Sequence, residues 1–404
     1  MTAAETRTVI DALEAGGATA RFVGGCVRDA VLGRAVGDVD IATPATPETV
    51  TRLLEAAGIR VVPTGIGHGT VTAVTPARIE ITTLRRDVET DGRHATVAFT
   101  DDWQADAARR DFTINALFCA PDGTLYDPCG GLDDLRAGRV RFVGDATRRI
   151  AEDVLRLLRF FRFYAHYGRP PPDAEALAAC RAMAPLLAKL SGERIGGELL
   201  RILAAPAPAP VVALMRETGA LAEVLPEAGD ARALSELCAL EGDEADPLRR
   251  LALLLRDADA GTVAERLKFS NAAKQRLVAL TAPPVTLAAE HDAPAQRRAL
   301  YRVGPDLFRD LVLLAWAEAL ARAPGERDAL AAAYGPMLAA ARAWENPKLP
   351  VKGADVVALG VPDGPAVGAL LKRIEAWWEA GDYRAGRKET LARLAALVKR
   401  EAKH

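Results

Sequence analysis

The apolar residues of this chain follow two different patterns, and the change from one to the other lies near Asp145. Before that point, short runs rich in β-branched residues alternate with helical segments and glycine turns. After it, Ala, Leu and Arg recur with the spacing of helices. The sequence therefore predicts an α+β chain, with a mixed α/β head followed by an almost wholly helical remainder.

The predicted head contains a glycine turn between a strand and a helix. Residues 20–23 predict a short strand and residues 27–32 have the apolar spacing of a helix, so Gly24 and Gly25 fall at the turn between them. Without Cβ atoms, these glycines let backbone N–H groups approach phosphate oxygens, and Arg28 can add positive charge. The segment is typical of a triphosphate site.

Two carboxylates follow on the next predicted strand, residues 38–42. Residues two apart on a strand face the same way, so Asp38 and Asp40 project together. Mg²⁺ is the natural ion for such a pair, because it takes one or two carboxylates and leaves its other positions to water and phosphate oxygens. Glu80, in the predicted strand 78–84, offers a third carboxylate. An Asp-x-Asp pair standing alone would fit a solvated turn better.

These segments resemble the class II tRNA nucleotidyltransferase and poly(A) polymerase family. Four further segments agree in order and spacing, residues 67–71, 109–117, 152–156 and 191–195, so that the resemblance covers roughly the first half of the chain. It implies a nucleotidyltransferase head of the polymerase-beta type and a helical neck, body and tail. We expect the catalytic head at 1–145, a neck with nucleobase recognition at 146–205, an RNA-binding body at 206–345 and a tRNA-binding tail at 346–404.

The resemblance also implies an activity: template-independent addition of C, C and A to the tRNA 3′ end from CTP and ATP, with release of pyrophosphate. Two-metal transfer would use Mg²⁺ held by Asp38 and Asp40, with Glu80 assisting. The alternatives are a poly(A) polymerase, a partial enzyme that adds only CC or only A, and a non-catalytic RNA-binding relative. Residues 65–71 lack the basic segment of the family's poly(A) polymerases, which favours CCA addition.

Asp153 and Arg156 are predicted to recognise the nucleobase. The matching Asp and Arg of the family do this work. In a helical segment the two side chains share one face. An Asp that accepts from an exocyclic amino group, beside an Arg that donates to a ring nitrogen, fits cytosine and adenine and rejects uracil and guanine. The alternative, from the pattern alone, is an ordinary intrahelical salt bridge between the two residues.

Further polar residues are expected near the triphosphate. Arg109, Arg110 and Asp111 precede a strand-like run, residues 112–118, and would lie at a loop-to-strand junction. Arginines there can neutralise phosphate oxygens, and Asn115 can bond a ribose hydroxyl or another strand. Arg194 is predicted only to belong to a helix start, which Ser191 would cap.

The polar segment 86–94 lacks apolar periodicity and predicts a mobile loop; in the family, the corresponding loop helps the change from C to A addition. The sequence leaves the role of His68 open.

The formal net charge is −2, and the five cysteines are scattered without a Cys-x-x-Cys pair. No apolar run is long enough to cross a membrane. We expect a cytoplasmic protein with no membrane association and no obligate protein partner.

Overall fold

The computed structural model describes residues 3–65, 67, 69–90, 95–256 and 258–401. The chain forms two compact units. The first contains the residues up to Ala228 together with Glu265–Phe269, and the second contains Gly229–Ala264 and the residues from Ser270 onward. The expected division into head, neck, body and tail stays a prediction.

The first unit is built around a mixed sheet. The strands of the described residues are β1 (Arg21–Val23), β2 (Val39–Thr43), β3 (Arg60–Gly65), β4 (Thr70–Val74), β5 (Arg78–Thr83), β6 (Arg85–Thr90), β7 (Ala95–Phe99), β8 (Phe118–Cys119) and β9 (Leu125–Tyr126). Seven of them form one sheet in the order β3-β4-β5-β2-β1-β8-β9, and β6 pairs with β7. Strands β2 and β5 run parallel, whereas the other neighbours in the larger sheet are antiparallel.

Helices make up most of the remaining structure. In chain order they are α1 (Ala4–Ala15), α2 (Gly25–Val31), α3 (Pro47–Ala56), α4 (Trp103–Ala108), α5 (Gly131–Ala137), α6 (Ala146–Glu152), α7 (Leu155–Tyr167), α8 (Ala174–Met183), α9 (Gly192–Leu203), α10 (Ala209–Glu217), α11 (Ala220–Val224), α12 (Arg232–Glu241), α13 (Pro247–Leu254), α14 (Ala260–Arg266), α15 (Asn271–Thr281), α16 (Ala293–Arg322), α17 (Arg327–Ala343), α18 (Gly353–Ala358), α19 (Pro365–Ala380) and α20 (Arg387–Glu401). Beyond β9, the described chain contains helices and turns but no strand. The predicted α+β class with a helical remainder is confirmed.

An aromatic core holds the segment after α4 against α7. Phe112, Phe142 and Phe160 are fully buried. The ring of Phe112 lies 4.7 Å from that of Phe142 and 5.1 Å from that of Phe163 on α7. Burial of such rings contributes about 1.5–3 kcal/mol each, so this packing fixes the polar residues beside Phe112 relative to the polar face of α7.

Two predicted elements of the first unit are wrong. The run 112–118 is not a continuous strand: Thr113–Asn115 forms a 3₁₀ turn and the strand β8 begins at Phe118. The run 112–118 is short and mostly apolar, with Thr113 and Asn115 between its apolar residues, and the pattern of such a run does not by itself distinguish a strand from other buried structure. Residues 86–90 of the predicted loop belong to β6, because they pair with β7. Residues 91–94 and His68 lie outside the described residues.

The second unit contains a buried network of charges between α12, α13 and α16. Arg249 donates to Glu241 at 2.7 Å and to Asp310 at 2.6 Å, and Arg250 donates to the other oxygen of Glu241 at 2.6 Å. All four side chains are buried. Each charge therefore depends on its partners in place of water. None of the helices in the described part of the chain has the length and apolar composition needed to cross a membrane.

Candidate active site

Two acidic side chains lie next to each other across the parallel pair β2 and β5. Asp40 and Glu80 are Cα partners in this pair, so their side chains project from the same face of the sheet. Asp40 is half-buried and Glu80 is exposed. Asp38 immediately precedes β2 and is also exposed. The structure thus brings together Asp40 and Glu80, which are far apart in sequence, and places Asp38 at the start of the same strand.

The electrostatics of these carboxylates favour a cation. Burial raises the pKa of Asp40 to about 6; the negative charges of Glu80 and Asp38 add to the rise, whereas the Arg110 guanidinium opposes it. A divalent cation would relieve this repulsion. Within the described residues, no three His, Cys, Asp or Glu side chains are grouped to hold an ion by themselves. The site fits an ion that takes its remaining ligands from water and phosphate oxygens.

The glycine turn lies beside these carboxylates. Gly24 has φ 73° and ψ −124°, a backbone conformation that favours glycine, and it precedes α2, which Gly25 opens. The backbone N–H of Gly24 donates to the carbonyl of Leu117 at 3.0 Å. A Cβ atom on Gly24 would lie 3.6 Å from Nη1 of Arg110. The turn and the Arg110 guanidinium are therefore adjacent, as a phosphate cradle requires.

Arg28 is more heavily engaged within the protein than the sequence indicates. It is only 7% exposed, and its Nη1 donates to Oδ1 of Asn115 at 2.7 Å. Its Nε and Nη2 each donate to the carboxylate of Asp29 at 3.0 Å. The guanidinium also lies over the ring of Tyr167, 4.1 Å from its centroid. These contacts connect α2 to α7 and hold the Arg28 guanidinium in one position.

Asp111 connects the segment after α4 to α7. Its carboxylate accepts hydrogen bonds from Arg159 and, at 3.1 Å, from the amide of Asn115. Burial alone would raise the pKa of Asp111, but the charge of Arg159 and these hydrogen bonds outweigh it and hold the pKa below its ordinary value. The ionised Asp111 carboxylate thus holds the side chains of Arg159 and Asn115 in place, and it also accepts from the backbone N–H of Phe112 at 2.9 Å.

Arg109 and Arg110 share one anchor. Their guanidinium groups pair with the two oxygens of Asp106, at 2.7 Å and 2.8 Å, and the Asp106 side chain is only 1% exposed. Burial would raise the pKa of Asp106, but the two arginines outweigh it and lower the pKa. Both guanidinium groups are therefore held in place without any ligand.

The prediction that Asp153 and Arg156 share one face of a helix is wrong. Helix α6 ends at Glu152, Asp153 has the extended conformation φ −150° and ψ 107°, and α7 begins at Leu155. Because Asp153 lies outside both helices, the two residues form no intrahelical salt bridge, and Arg156 donates to Glu152 at 2.6 Å instead. The interruption takes Asp153 out of the helix, which local periodicity alone does not reveal.

Two arginines of the site were not predicted as ligand-facing residues. Arg194 does follow Ser191, whose side chain caps α9, but its guanidinium also donates to both oxygens of Asp153 at 2.9 Å. Arg159 pairs with Asp111. The 191–195 segment and the concentration of arginines on α7 were the only signals in the sequence, and neither specifies a partner.

All these elements open onto one cavity of about 520 Å³, within the usual range of small-molecule sites. Its lining includes six arginines and three aspartates, and comprises Gly24, Gly25, Arg28, Asp40, Arg109, Arg110, Asp111, Asn115, Asp153, Leu155, Arg156, Arg159, Phe163 and Arg194. All but two of the predicted site residues therefore line this cavity. Asp38 and Glu80 are not in its lining; they adjoin Asp40 at its edge.

The sequence matches two family models. Residues 20–141 match the poly A polymerase head domain, and residues 172–231 match the probable RNA and SrmB-binding site of polymerase A. The CCA tRNA nucleotidyltransferase 1, mitochondrial, of Danio rerio is 38% identical over 383 residues, which cover 93% of this chain and 86% of that relative. The chain belongs to the family of CCA-adding tRNA nucleotidyltransferases.

Other members of the CCA-adding family agree with this assignment. The CCA-adding enzyme of Streptococcus gordonii is 35% identical, with 92% of each chain covered. The crystal structure of the Bacillus stearothermophilus CCA-adding enzyme in complex with CTP matches with a TM-score of 0.79 at 29% identity, covering 99% of this chain and 98% of that one. The family and the nucleotidyltransferase head predicted from the sequence are confirmed. Nucleotidyltransferases of this family generally use divalent metal ions.

Proposed function

We propose that this chain adds C, C and A to the 3′ end of tRNA, without a nucleic-acid template, using CTP and ATP. The observation that carries the proposal is the single cavity that joins Asp40, the glycine turn and the Asp153–Arg156 pair. Similarity to CCA-adding enzymes over 93% of the chain supports the same reaction. In that reaction the tRNA 3′-hydroxyl attacks the α-phosphate and pyrophosphate leaves.

Asp38 and Asp40 would hold Mg²⁺, with Glu80 assisting. The raised pKa of Asp40 supports this assignment, because a cation relieves the repulsion that causes part of the rise. When bound, the metal would lower the pKa of the attacking hydroxyl and neutralise charge on the phosphates. The Arg110 guanidinium is close both to Asp40 and to the glycine turn, where it would bind phosphate oxygens.

Gly24 and Gly25 would present backbone N–H groups to the triphosphate, with charge from the arginines of the cavity. Three of the five guanidinium N–H groups of Arg28 already donate to Asn115 and Asp29. The other two would be available to donate to phosphate oxygens. Arg109, Asp111 and Asn115 complete this wall of the cavity. Asp111 would serve chiefly by keeping the neighbouring donors in place.

Asp153 and Arg156 would select the base. The contacts of Arg156 in the described structure use Nη1 for Glu152 and for the carbonyl of Arg149, and Nη2 for the carbonyl of Arg109 at 3.5 Å. A guanidinium has five N–H donors, so two stay available for a ring nitrogen. The Asp153 carboxylate would accept from the exocyclic amino group, which cytosine and adenine possess and uracil lacks at that position.

A primer-extension assay tests the proposal. Purified protein with Mg²⁺ is given tRNA lacking its 3′ end, tRNA-C or tRNA-CC, with each labelled nucleotide alone and with CTP and ATP together. CTP alone should extend the first two primers and stop after CC, and ATP alone should add one residue to tRNA-CC. Long A tails on any RNA primer, CC addition without A, or no incorporation would each contradict full CCA addition.

The cellular location stays a prediction. We propose a cytoplasmic site of action, because five scattered cysteines without a Cys-x-x-Cys pair suit a reducing compartment. Three vertebrate relatives have the word mitochondrial in their names, so the mitochondrion is the alternative location to test. Fractionation of cells that express the tagged protein distinguishes the two.

A further inference from the structure

The Asp153 carboxylate has an asymmetric set of partners. Its Oδ1 accepts from Nη2 of Arg194 at 2.9 Å and from the backbone N–H of Leu155 at 3.1 Å. Its Oδ2 accepts from Arg194 alone among the described residues, also at 2.9 Å. Because each carboxylate oxygen can accept two hydrogen bonds, Oδ2 keeps one acceptor direction for a donor in the cavity.

Asp153 needs an external restraint because it lies outside both neighbouring helices. Its backbone is extended, and its side chain is 27% exposed. Arg156, by contrast, is held by Glu152 at the end of α6. The two proposed base-reading side chains are therefore positioned by different contacts. Arg156 is held by Glu152 and the Arg149 carbonyl of α6, whereas Asp153 is held by Arg194 of α9 and, at Oδ1 alone, by the backbone N–H of Leu155.

Helix α9 packs closely against the 265–269 segment, which is distant in sequence. A Cβ atom on Gly192 would lie 1.7 Å from the carbonyl oxygen of Arg266, and one on Gly196 would lie 2.8 Å from that of Leu267. The Arg266 side chain donates to the carbonyl of Val224 at 3.0 Å and to Glu227 at 2.6 Å. This close backbone contact within the first unit determines the position of the α9 N-terminus, and hence that of Arg194.

We propose that Arg194 is a positioning residue for base selection, which acts by orienting the Asp153 carboxylate. The proposal rests on the proposed function, in which Asp153 and Arg156 read the base. Arg194 donates one hydrogen bond to each oxygen of the Asp153 carboxylate. Oδ2 can still accept a second hydrogen bond, from the amino group of a base in the cavity. Without Arg194, only the Leu155 N–H at Oδ1 still holds the carboxylate, so Oδ2 is no longer fixed and the pocket loses part of its preference for an amino donor over a carbonyl.

The test compares nucleotide discrimination in Arg194→Ala, Arg194→Lys and Asp153→Ala. Arg201→Ala is the matched control, because Arg201 lies on the same helix, is 63% exposed and bonds Glu198 at 3.2 Å. The quantity measured is the ratio of kcat/KM for CTP over UTP on tRNA, and for ATP over GTP on tRNA-CC. Circular dichroism melting checks that each variant is folded.

Arg194→Ala should lower both ratios on the order of tenfold to a hundredfold, the range expected when one hydrogen-bonding partner is lost. Arg194→Lys should recover part of the loss, and Arg201→Ala should match the wild type. The double variant of Arg194 and Asp153 should resemble Asp153→Ala, because both changes act through one carboxylate.

Three outcomes would overturn the proposal, and they are distinguishable. If Arg194→Ala lowers the rate of all four nucleotides equally, Arg194 is structural and not a positioning residue. If the losses in the double variant add, Arg194 does not act through Asp153. If Asp153→Ala itself keeps full discrimination, the base-reading role in the proposed function fails, and the role of Arg194 fails with it.

Discussion

Alanine at position 192 should destabilise the first unit, whereas alanine at position 197 of the same helix should not. The new Cβ at position 192 would lie 1.7 Å from the backbone carbonyl oxygen of Arg266, half the distance of an ordinary contact. A backbone oxygen cannot rotate away as a side chain does, so α9 or the 265–269 segment has to shift. Overpacking of this kind costs about 1–3 kcal/mol.

Gly197→Ala is the matched control for this effect. No heavy atom lies within 4 Å of a Cβ built at Gly197, and the residue is inside α9. Alanine there should stabilise the helix by about 0.5–1 kcal/mol, because it restricts the unfolded chain more than glycine does. The two substitutions add the same atom to the same helix and differ only in what surrounds it.

Thermal unfolding measures the difference. For a unit of this size, Gly192→Ala should lower the melting temperature by roughly 2–12 °C, while Gly197→Ala leaves it unchanged or raises it by about 1–4 °C. Circular dichroism follows the helices of both units. Tryptophan fluorescence follows mainly the second unit, which contains Trp316, Trp344, Trp377 and Trp378. The shift for Gly192→Ala should therefore be larger by circular dichroism.

Equal melting temperatures for the two variants would refute the inferred contact between α9 and the 265–269 segment. A shift for Gly192→Ala that appears only in the fluorescence transition would contradict the assignment of this segment to the first unit. The contact also supports Arg194, so a folded Gly192→Ala protein should discriminate CTP from UTP less well than the wild type.

Other perturbations test the remaining parts of the structure. Asp40→Ala should reduce incorporation of both CTP and ATP on the order of 10³-fold or more while tRNA binding in a filter assay persists; near-normal turnover would contradict the metal assignment. Asp153→Ala should cost about 1–3 kcal/mol in selection of CTP over UTP, and an unchanged preference would leave Asp153 without a reading role. Deleting residues 91–94, between β6 and β7, should spare CC addition and impair the terminal A; equal loss of both on tRNA and tRNA-CC primers argues against a switch. Glu241→Gln should lower the free energy of unfolding of the second unit by about 3–5 kcal/mol, because Arg249 then loses a buried countercharge; an unchanged urea midpoint by fluorescence would show that the network contributes little.

Much of the head could be predicted from the sequence because its signals are local. The strand–glycine turn–helix at 21–31 is observed as β1 and α2. Short runs with apolar and β-branched residues predicted the strands that contain Asp40 and Glu80, and both are observed. The order of the short motifs also predicted the family. These features depend on neighbours a few residues apart, which periodicity and turn chemistry describe.

Tertiary structure decided what each of these side chains contacts. The parallel register of β2 and β5 places Asp40 beside Glu80, and the break before α7 turns Asp153 from a helix-surface residue into a partner of Arg194. The same long-range packing converts residues 86–90 from a predicted loop into β6. Partners of this kind lie tens of residues apart, and their free energy is realised only when the intervening chain has folded, so no local pattern in the sequence specifies them.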